Sequence, residues 1–287
     1  MNSTLPLAIV SHTLPAGWLA KLDGRCRMVA GPKTAGSPDL TPDLRRHLAE
    51  AEGLFSIFTV RVDEALLAAA PKLRVVSNMA VGVDNIDLAA CQARGVAVGH
   101  TPGVLTDGTA DLTVTLLLAA ARRLPMAMAD AKAGRWTVWE PDGWLGKDLR
   151  GATVGIVGMG SIGTAVAGRL RPFGCYLVYH TRLFDAAALR LLLPDASLVN
   201  AARGGVVDGD ALLTALREGW IGAAALDVTD PEPLPPTHPL YALPNCLIAP
   251  HIGSATENTR RAMAELACDN LLAGLAGTPL PHAVSLA

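Results

Sequence analysis

The chain has 287 residues, too many for one ordinary hydrophobic core and well matched to two domains of about 100 to 150 residues each. Hydrophobic residues make up 51%, charged residues 17% and aromatics 4%, which excludes a disordered or low-complexity chain and makes burial depend on aliphatic side chains. With 24 Lys+Arg against 26 Asp+Glu, the formal charge of -2 supplies no broad basic field, so neither nucleic acid nor a membrane is the expected partner and a small molecule is.

Cys26, Cys91, Cys175, Cys246 and Cys268 are odd in number and scattered, with no C-x-x-C and no His at metal spacing. No bound metal is expected, and a reducing, cytoplasmic setting suits these thiols. The opening MNSTLPLAIV lacks a basic leader, and the longest apolar helix candidate, LTVTLLLAAA at 112–121, is about half a bilayer span.

Short apolar runs alternate with helical patterns from the start: LPLAIV then PAGWLAKL, CRMVAG then TPDLRRHLAEAEG, LFSIFT then VDEALLAAA, RVVSNM then DNIDLAACQARG, and finally VAVGH. Repeated βα units of this kind predict a parallel sheet covered by helices on both faces. Thr41-Pro42 reads as an N-cap followed by the first helical residue, and Gly95 stops a helix expected over Asp84 to Arg94. After His100 a turn-rich TPGVLTDG precedes a long aliphatic helix to about Arg123 and a second helix ending at Gly134, the pattern of a domain crossing. From Gly151 the alternation restarts with TVGIVG, a helix from Ser161, YLVYHT, LFDAAALRLLL, SLVNAA, GDALLTALREG, GAAALDV and CLIAP, predicting a second parallel sheet. A last helix, Ala255 to Leu275, is long and amphipathic and is expected to return to the first domain. The expected division is 1–99 plus 253–287 against 100–252.

Gly158-Met159-Gly160-Ser161-Ile162-Gly163 is a G-x-G-x-x-G that follows a strand and opens a helix. Gly158 allows the tight turn, Gly160 lets backbone N–H groups approach a pyrophosphate, Gly163 lets helix and strand pack closely, and the helix start at Ser161 and Ile162 favours negative charge. About twenty residues on, where an acid would hold the ribose hydroxyls of NAD, the chain reads Tyr179-His180-Thr181-Arg182. Arg182 can pair with a 2′-phosphate through its guanidinium fork, so NADP is favoured over NAD.

Arg203 follows SLVNAA, Glu232 lies just beyond GAAALDV, and His251 ends CLIAP, so each stands at or beyond the C-terminal end of a parallel strand, the edge where open α/β sheets bind ligands. Such a set suits carbonyl reduction: a His as proton donor, an Arg as fixed cation on the substrate, and a carboxylate to hold the imidazole's tautomer. Asp227, at the end of its strand, is either an acceptor for a nicotinamide amide or a turn-forming residue.

The strings NAARGGVVD, LDVTDPEPLPPTHPL and APHIGSAT together with the glycine fingerprint resemble the D-isomer-specific 2-hydroxyacid dehydrogenases over nearly the whole chain. VGVDNID, TPGVLTD, RWTVWEP and the final helix look most like the glyoxylate/hydroxypyruvate reductases of that family. The resemblance implies a flavodoxin-like substrate domain and a Rossmann nucleotide-binding domain, each a doubly wound parallel sheet. It implies that Arg203 binds the substrate carboxylate and keto oxygen, that His251 is the acid/base and that Glu232 is its partner. It adds backbone N–H groups of Val81 and Gly82 on the carboxylate, Thr109 and Ala201 beside the cofactor, Ser254 beside the substrate, and a homodimer in which Trp139 limits the neighbouring pocket.

The family's fold places two further strands with their helices, about forty residues more, between Arg182 and Ser197, where this chain has fourteen. Either the remaining strands pair directly in a shortened sheet or the chain is an edited version of a longer protein. The leading expectation is reduction of glyoxylate and hydroxypyruvate with NADPH. The alternatives are a catalytically impaired dinucleotide-binding or interaction protein on the same scaffold, and a dehydrogenase for another 2-hydroxy acid.

Overall fold

The computed structural model describes residues 5–33, 39–180 and 185–285. The chain divides into two compact units, Met1–Leu105 with Thr256–Ala287, and Thr106–Ala255.

In the first unit the strands are β1 (Leu7–Val10), β2 (Arg27–Ala30), β3 (Gly53–Ser56), β4 (Val75–Asn78) and β5 (Ala97–Gly99), all parallel in the order β2-β1-β3-β4-β5. This is the flavodoxin-like order, whose ligand edge lies at the carboxyl ends of the strands. β1, β3 and β4 are buried at every position, as a parallel sheet covered on both faces requires. On one face α1 (Pro42–Arg45), α2 (Glu64–Ala69) and α3 (Leu88–Ala93) bury Leu44, Leu66, Leu67 and Cys91 around Ile9, Leu54 and Val76. On the other face the last helix lays Met263, Ala264, Ala267, Cys268 and Leu271 against Val10, Phe55 and Val75. Ser77 Oγ donates to the Ala267 carbonyl at 2.7 Å and ties that helix to β4.

Two local readings of the sequence are corrected in this unit. PAGWLAKL yields only a 3-10 turn at Ala20–Leu22. The helix expected over Asp84 to Arg94 begins at Leu88, because Val62 N–H donates to the Asn85 carbonyl and Asp87 N–H to the Val62 carbonyl, each at 2.8 Å, which holds 85–87 extended. Asp87 then caps the helix by accepting from Ala90 N–H at 2.9 Å.

In the second unit α4 (Thr106–Ala121) and α5 (Leu124–Lys132) are separated by a 64° bend at Arg123, which sits in the left-handed region at φ 52. Among the described residues no single helix is long and apolar enough to cross a membrane. There follow β6 (Thr153–Val157), α6 (Ser161–Leu170), β7 (Tyr176–His180), α7 (Ala186–Arg190), β8 (Ser197–Asn200), α8 (Gly209–Arg217), β9 (Ala223–Leu226) and β10 (Cys246–Ile248). The first unit's closing helix is α9 (Glu257–Ala276), capped by Thr256.

The second unit's sheet is broken. β6 pairs with β7 alone, while β8, β9 and β10 form a separate parallel sheet in the order β10-β9-β8. The direct pairing across the shortened stretch that the sequence left open is therefore not formed among the described residues. α4 joins the two pieces. Its Ala110 and Val114 pack with Ile156, Val166 and Leu170 on the β6 side, and its Leu116 and Ala120 pack with Ala225 on the β9 side. Tyr176, Val178 and Tyr179 of β7 are exposed.

Candidate active site

The second unit's site begins where its strands end. Asn200, the last residue of β8, is buried and shapes the next turn by itself: its Oδ1 accepts from Ala202 N–H at 3.1 Å and its Nδ2 donates to the Arg203 carbonyl at 2.8 Å. Such side-chain to backbone bonds stand in for a helix or ladder and fix a tight turn. Arg203 emerges from it with extended backbone and an exposed guanidinium whose Nη1 donates to the Ala202 carbonyl at 2.8 Å. Ala201 is half-buried. At Gly204 a Cβ would meet the Thr229 carbonyl oxygen at 2.0 Å, so only glycine lets this loop lie against the one that leaves β9.

Asp227, immediately after β9, has 2% exposure and connects all three strand ends. Its N–H donates to the Asn200 carbonyl at 2.8 Å, and its own carbonyl accepts from His251 N–H at 2.9 Å. Its carboxylate accepts from Ile252 N–H at 2.7 Å through Oδ1 and from Gly253 N–H at 2.8 Å through Oδ2. Burial holds this carboxyl above its ordinary range, and the two amide hydrogen bonds and the nearby His251 offset only part of the rise. His251 itself stands at φ 52, a left-handed conformation uncommon for a non-glycine residue. That reversal turns the next two amides toward one carboxylate.

The His251 ring is held by Glu232. Nδ1 lies 2.5 Å from Glu232 Oε1, with the two side chains 27% and 30% exposed. A carboxylate only accepts, so Nδ1 carries the proton of this contact. Thr109, buried in the first turn of α4, lies beside this turn: its Oγ1 is 3.3 Å from the position a Cβ on Gly253 would take, and Asp227 Oδ2 is 3.1 Å from it. Ser254 follows, half-buried.

The glycine loop is built for close approach. Gly158 stands at φ 89, and a Cβ on Gly163 would meet the Gly158 carbonyl oxygen at 2.1 Å, so α6 packs against the turn as only glycine permits. Gly160 is the extended residue before Ser161, and a Cβ there would meet nothing within 4 Å. The N–H groups of the first turn, at Ser161 and Ile162, open α6 toward that space. This turn fits a pyrophosphate. Thr181 and Arg182 lie outside the described residues.

Val81 and Gly82 lie in the first unit, just beyond β4. Asn78, fully buried, donates from Nδ2 to the Gly82 carbonyl at 3.1 Å and accepts from Ser56 Oγ at 3.0 Å. His100 Nδ1 contacts the Val81 carbonyl at 2.9 Å, and Thr101 N–H donates to the Ala80 carbonyl at 2.8 Å. Among the described residues neither the Val81 nor the Gly82 N–H donates to a protein acceptor. Trp139 is 78% exposed in the segment after α5. No group of three metal-binding side chains occurs among the described residues.

Glu232 and His251 are thus in direct contact, Asp227 and Thr109 lie against the same turn, and Arg203 is linked to them through Asn200. Asn200, Asn78 and His100 were not singled out from the sequence. The signal was present: each is a polar residue at the carboxyl end of a buried parallel strand, the placement that marked Arg203 and His251.

The family model described as D-isomer specific 2-hydroxyacid dehydrogenase, catalytic domain, matches residues 27–285. The glyoxylate reductase/hydroxypyruvate reductase of Mus musculus is 42% identical over 318 aligned positions, covering 96% of this chain and 97% of the relative. That alignment is longer than the 287-residue chain, so the relative carries residues with no counterpart here. Among solved structures, the TT0316 protein from Thermus thermophilus is 42% identical with a TM-score of 0.90, covering 97% of this chain and 100% of that one. The NADPH-dependent glyoxylate/hydroxypyruvate reductase of Sinorhizobium meliloti, solved with NADP and malonate, is 32% identical with a TM-score of 0.83, covering 98% and 97%. The chain is a member of the D-isomer specific 2-hydroxyacid dehydrogenase family, an oxidoreductase by descent and by fold.

Proposed function

We propose that this chain reduces short 2-oxo acids, glyoxylate and hydroxypyruvate, to the corresponding 2-hydroxy acids with NADPH. The observation that carries the reading is the His251–Glu232 contact on a turn lashed to Asp227, since it fixes the tautomer and the orientation of the imidazole. The similarity to reductases named for these two substrates supports the choice of acid.

Bound at the Gly158–Gly163 turn, the nicotinamide cofactor supplies the hydride that the protein itself cannot. The chain's own residues then divide the work. The guanidinium of Arg203 and the N–H groups of Val81 and Gly82 orient the substrate carboxylate, and Arg203 polarises the keto oxygen. His251 gives the Nε2 proton to that oxygen as the carbonyl carbon is reduced, while Glu232 holds Nδ1–H and stabilises the ring's charge before the transfer. Thr109 and Ala201 would hold the cofactor, Ser254 would lie beside the substrate, and Asp227, whose oxygens each keep a second lone pair, would accept from the carboxamide. Arg182, outside the described residues, would pair with the 2′-phosphate of NADPH.

The unit Met1–Leu105 with Thr256–Ala287, expected from the sequence as 1–99 plus 253–287, takes the substrate, and Thr106–Ala255, expected as 100–252, takes the dinucleotide. Free thiols throughout the described residues, with those of Cys246 and Cys268 pushed up to about 12 by burial, suit a reducing cytoplasm.

The chain acts as a homodimer. α5 buries none of its residues, and Trp136, Val138, Trp139 and Leu145 are exposed in the segment that follows. Asp130 orders this arm by accepting from Trp144 Nε1 at 2.7 Å and from Arg135. An ordered apolar arm is suited to cover a second copy, with Trp139 bounding the partner subunit's pocket.

In steady-state assays with glyoxylate, His251→Ala lowers kcat by about 100-fold or more with a smaller effect on KM, and Arg203→Ala raises KM as well. Near-normal kcat in His251→Ala contradicts the assigned acid. With saturating glyoxylate, kcat/KM for NADPH exceeds that for NADH by about tenfold or more, and an equal or higher value for NADH removes the role of Arg182. Light scattering during size exclusion at assay concentration gives the dimer mass; a monomer that retains full activity removes the arm's assigned role.

A further inference from the structure

We propose that His100 is a positioning residue for the substrate carboxylate, acting through the peptide plane it grips from behind. The proposal rests on the reading above, in which the N–H groups of Val81 and Gly82 receive that carboxylate.

A trans peptide group is planar and points its C=O and N–H in opposite directions. Fixing one end therefore aims the other. The Val81 carbonyl and the Gly82 N–H belong to one such plane, and the His100 ring holds that carbonyl at 2.9 Å. The Ala80 carbonyl and the Val81 N–H belong to the preceding plane, and Thr101 N–H holds that carbonyl at 2.8 Å. Two neighbouring residues just beyond β5 thus brace two successive planes by their carbonyls, and in each plane the N–H points away from the braced carbonyl. Both amides that carry no protein partner are turned away from the brace.

The brace is itself immobilised. His100 N–H donates to the His282 carbonyl at 3.0 Å, and its carbonyl accepts from Asn270 Nδ2 at 2.9 Å. Asn270 is fully buried in α9, and its Oδ1 accepts in turn from His282 N–H at 2.9 Å. With backbone N–H and C=O both engaged, the ring has a fixed origin. A carbonyl oxygen only accepts, so Nδ1 is the ring's donor, and that bond polarises the peptide and strengthens the Gly82 N–H as a donor on the far side. Asn78 does the same for the following plane by holding the Gly82 carbonyl. Of these contacts the His100 bond alone reaches the Val81–Gly82 plane from a side chain, which makes it the one to remove by substitution.

The ligand class this aims at is a small carboxylate whose two oxygens take two adjacent N–H groups. The role is ground-state orientation, so its signature is on KM and on carboxylate affinity more than on kcat.

The test compares wild type with His100→Phe, which keeps a ring but no donor, and His100→Gln, which keeps an N–H donor. Steady-state kinetics with glyoxylate are paired with calorimetric binding of oxalate in the presence of NADPH. His100→Phe is expected to raise the glyoxylate KM and the oxalate Kd by about tenfold or more with kcat within about threefold of wild type, while His100→Gln stays within about threefold on all three. Unchanged KM and oxalate Kd in His100→Phe, or a fall confined to kcat, overturns the proposal. Should His100→Phe not fold, His100→Gln decides: retained oxalate affinity supports the role, and a loss of about tenfold overturns it. Oxalate binding keeps the two readings separable, because a wild-type chain that binds oxalate but does not reduce glyoxylate fails the proposed reaction and leaves the His100 role to the Kd comparison.

Discussion

One buried carboxylate holds the second unit's chemistry together. The strands β8, β9 and β10 end side by side, but a sheet fixes only the residues inside it, and the groups of interest all lie one to six residues beyond. Asp227 extends the order past the sheet. Its backbone bonds to Asn200 on one side and His251 on the other, and its two oxygens take the next two amides of the His251 turn. The left-handed backbone at His251 is then the cost of aiming those amides inward, and the Glu232 contact is where the imidazole comes to rest. Remove the carboxylate, and two N–H groups lose their acceptor, of which the Gly253 N–H is buried and the Ile252 N–H partly so.

The break in the second unit's sheet changes how the two halves of that site communicate. In an unbroken parallel sheet the strand before the glycine turn would be hydrogen-bonded, through its neighbours, to the strand that ends at Asn200. Here β6 and β8 are not paired, and α4 makes the connection by packing: Ala110 and Val114 on one side, Leu116 and Ala120 on the other. The same helix carries Thr109 to the Gly253 turn. Its small residues matter for this, since alanines let one helix approach two sheet fragments at once. Tyr176, Val178 and Tyr179 of β7 stay exposed beside that break.

Much of this was legible in the sequence, and for a physical reason. Alternation of apolar runs with helical patterns reports parallel strands, and polar residues directly after those runs fall on the ligand edge; that logic located Arg203, Asp227 and His251, and the glycine fingerprint announced its own turn. What it could not report is which partner each polar residue finds. Whether Asp227 made a turn or faced a cofactor was open from spacing, and the structure shows a carboxylate bonded to amides 252 and 253, twenty-five and twenty-six positions away. His100 was passed over because its contact with Val81 joins β5 to the end of β4 across nineteen residues. The late start of α3 shows the same limit, since a bridge from Val62 to Ile86 outweighed the helical pattern of the segment itself. The break between β6 and β8 was foreseen as a shortage of chain but not as an outcome, because strand pairing is decided by which edges can meet.

The proposed reduction depends on Asp227 placing the imidazole, and a misplacement of about 1 Å at a reacting group costs about 100-fold in rate. The most direct measurement is kcat for glyoxylate in Asp227→Asn, whose amide offers one acceptor where two N–H groups converge, recorded beside a circular dichroism melt that establishes folding. A folded variant with kcat reduced about tenfold or more is the predicted result. A folded variant with wild-type kcat contradicts it.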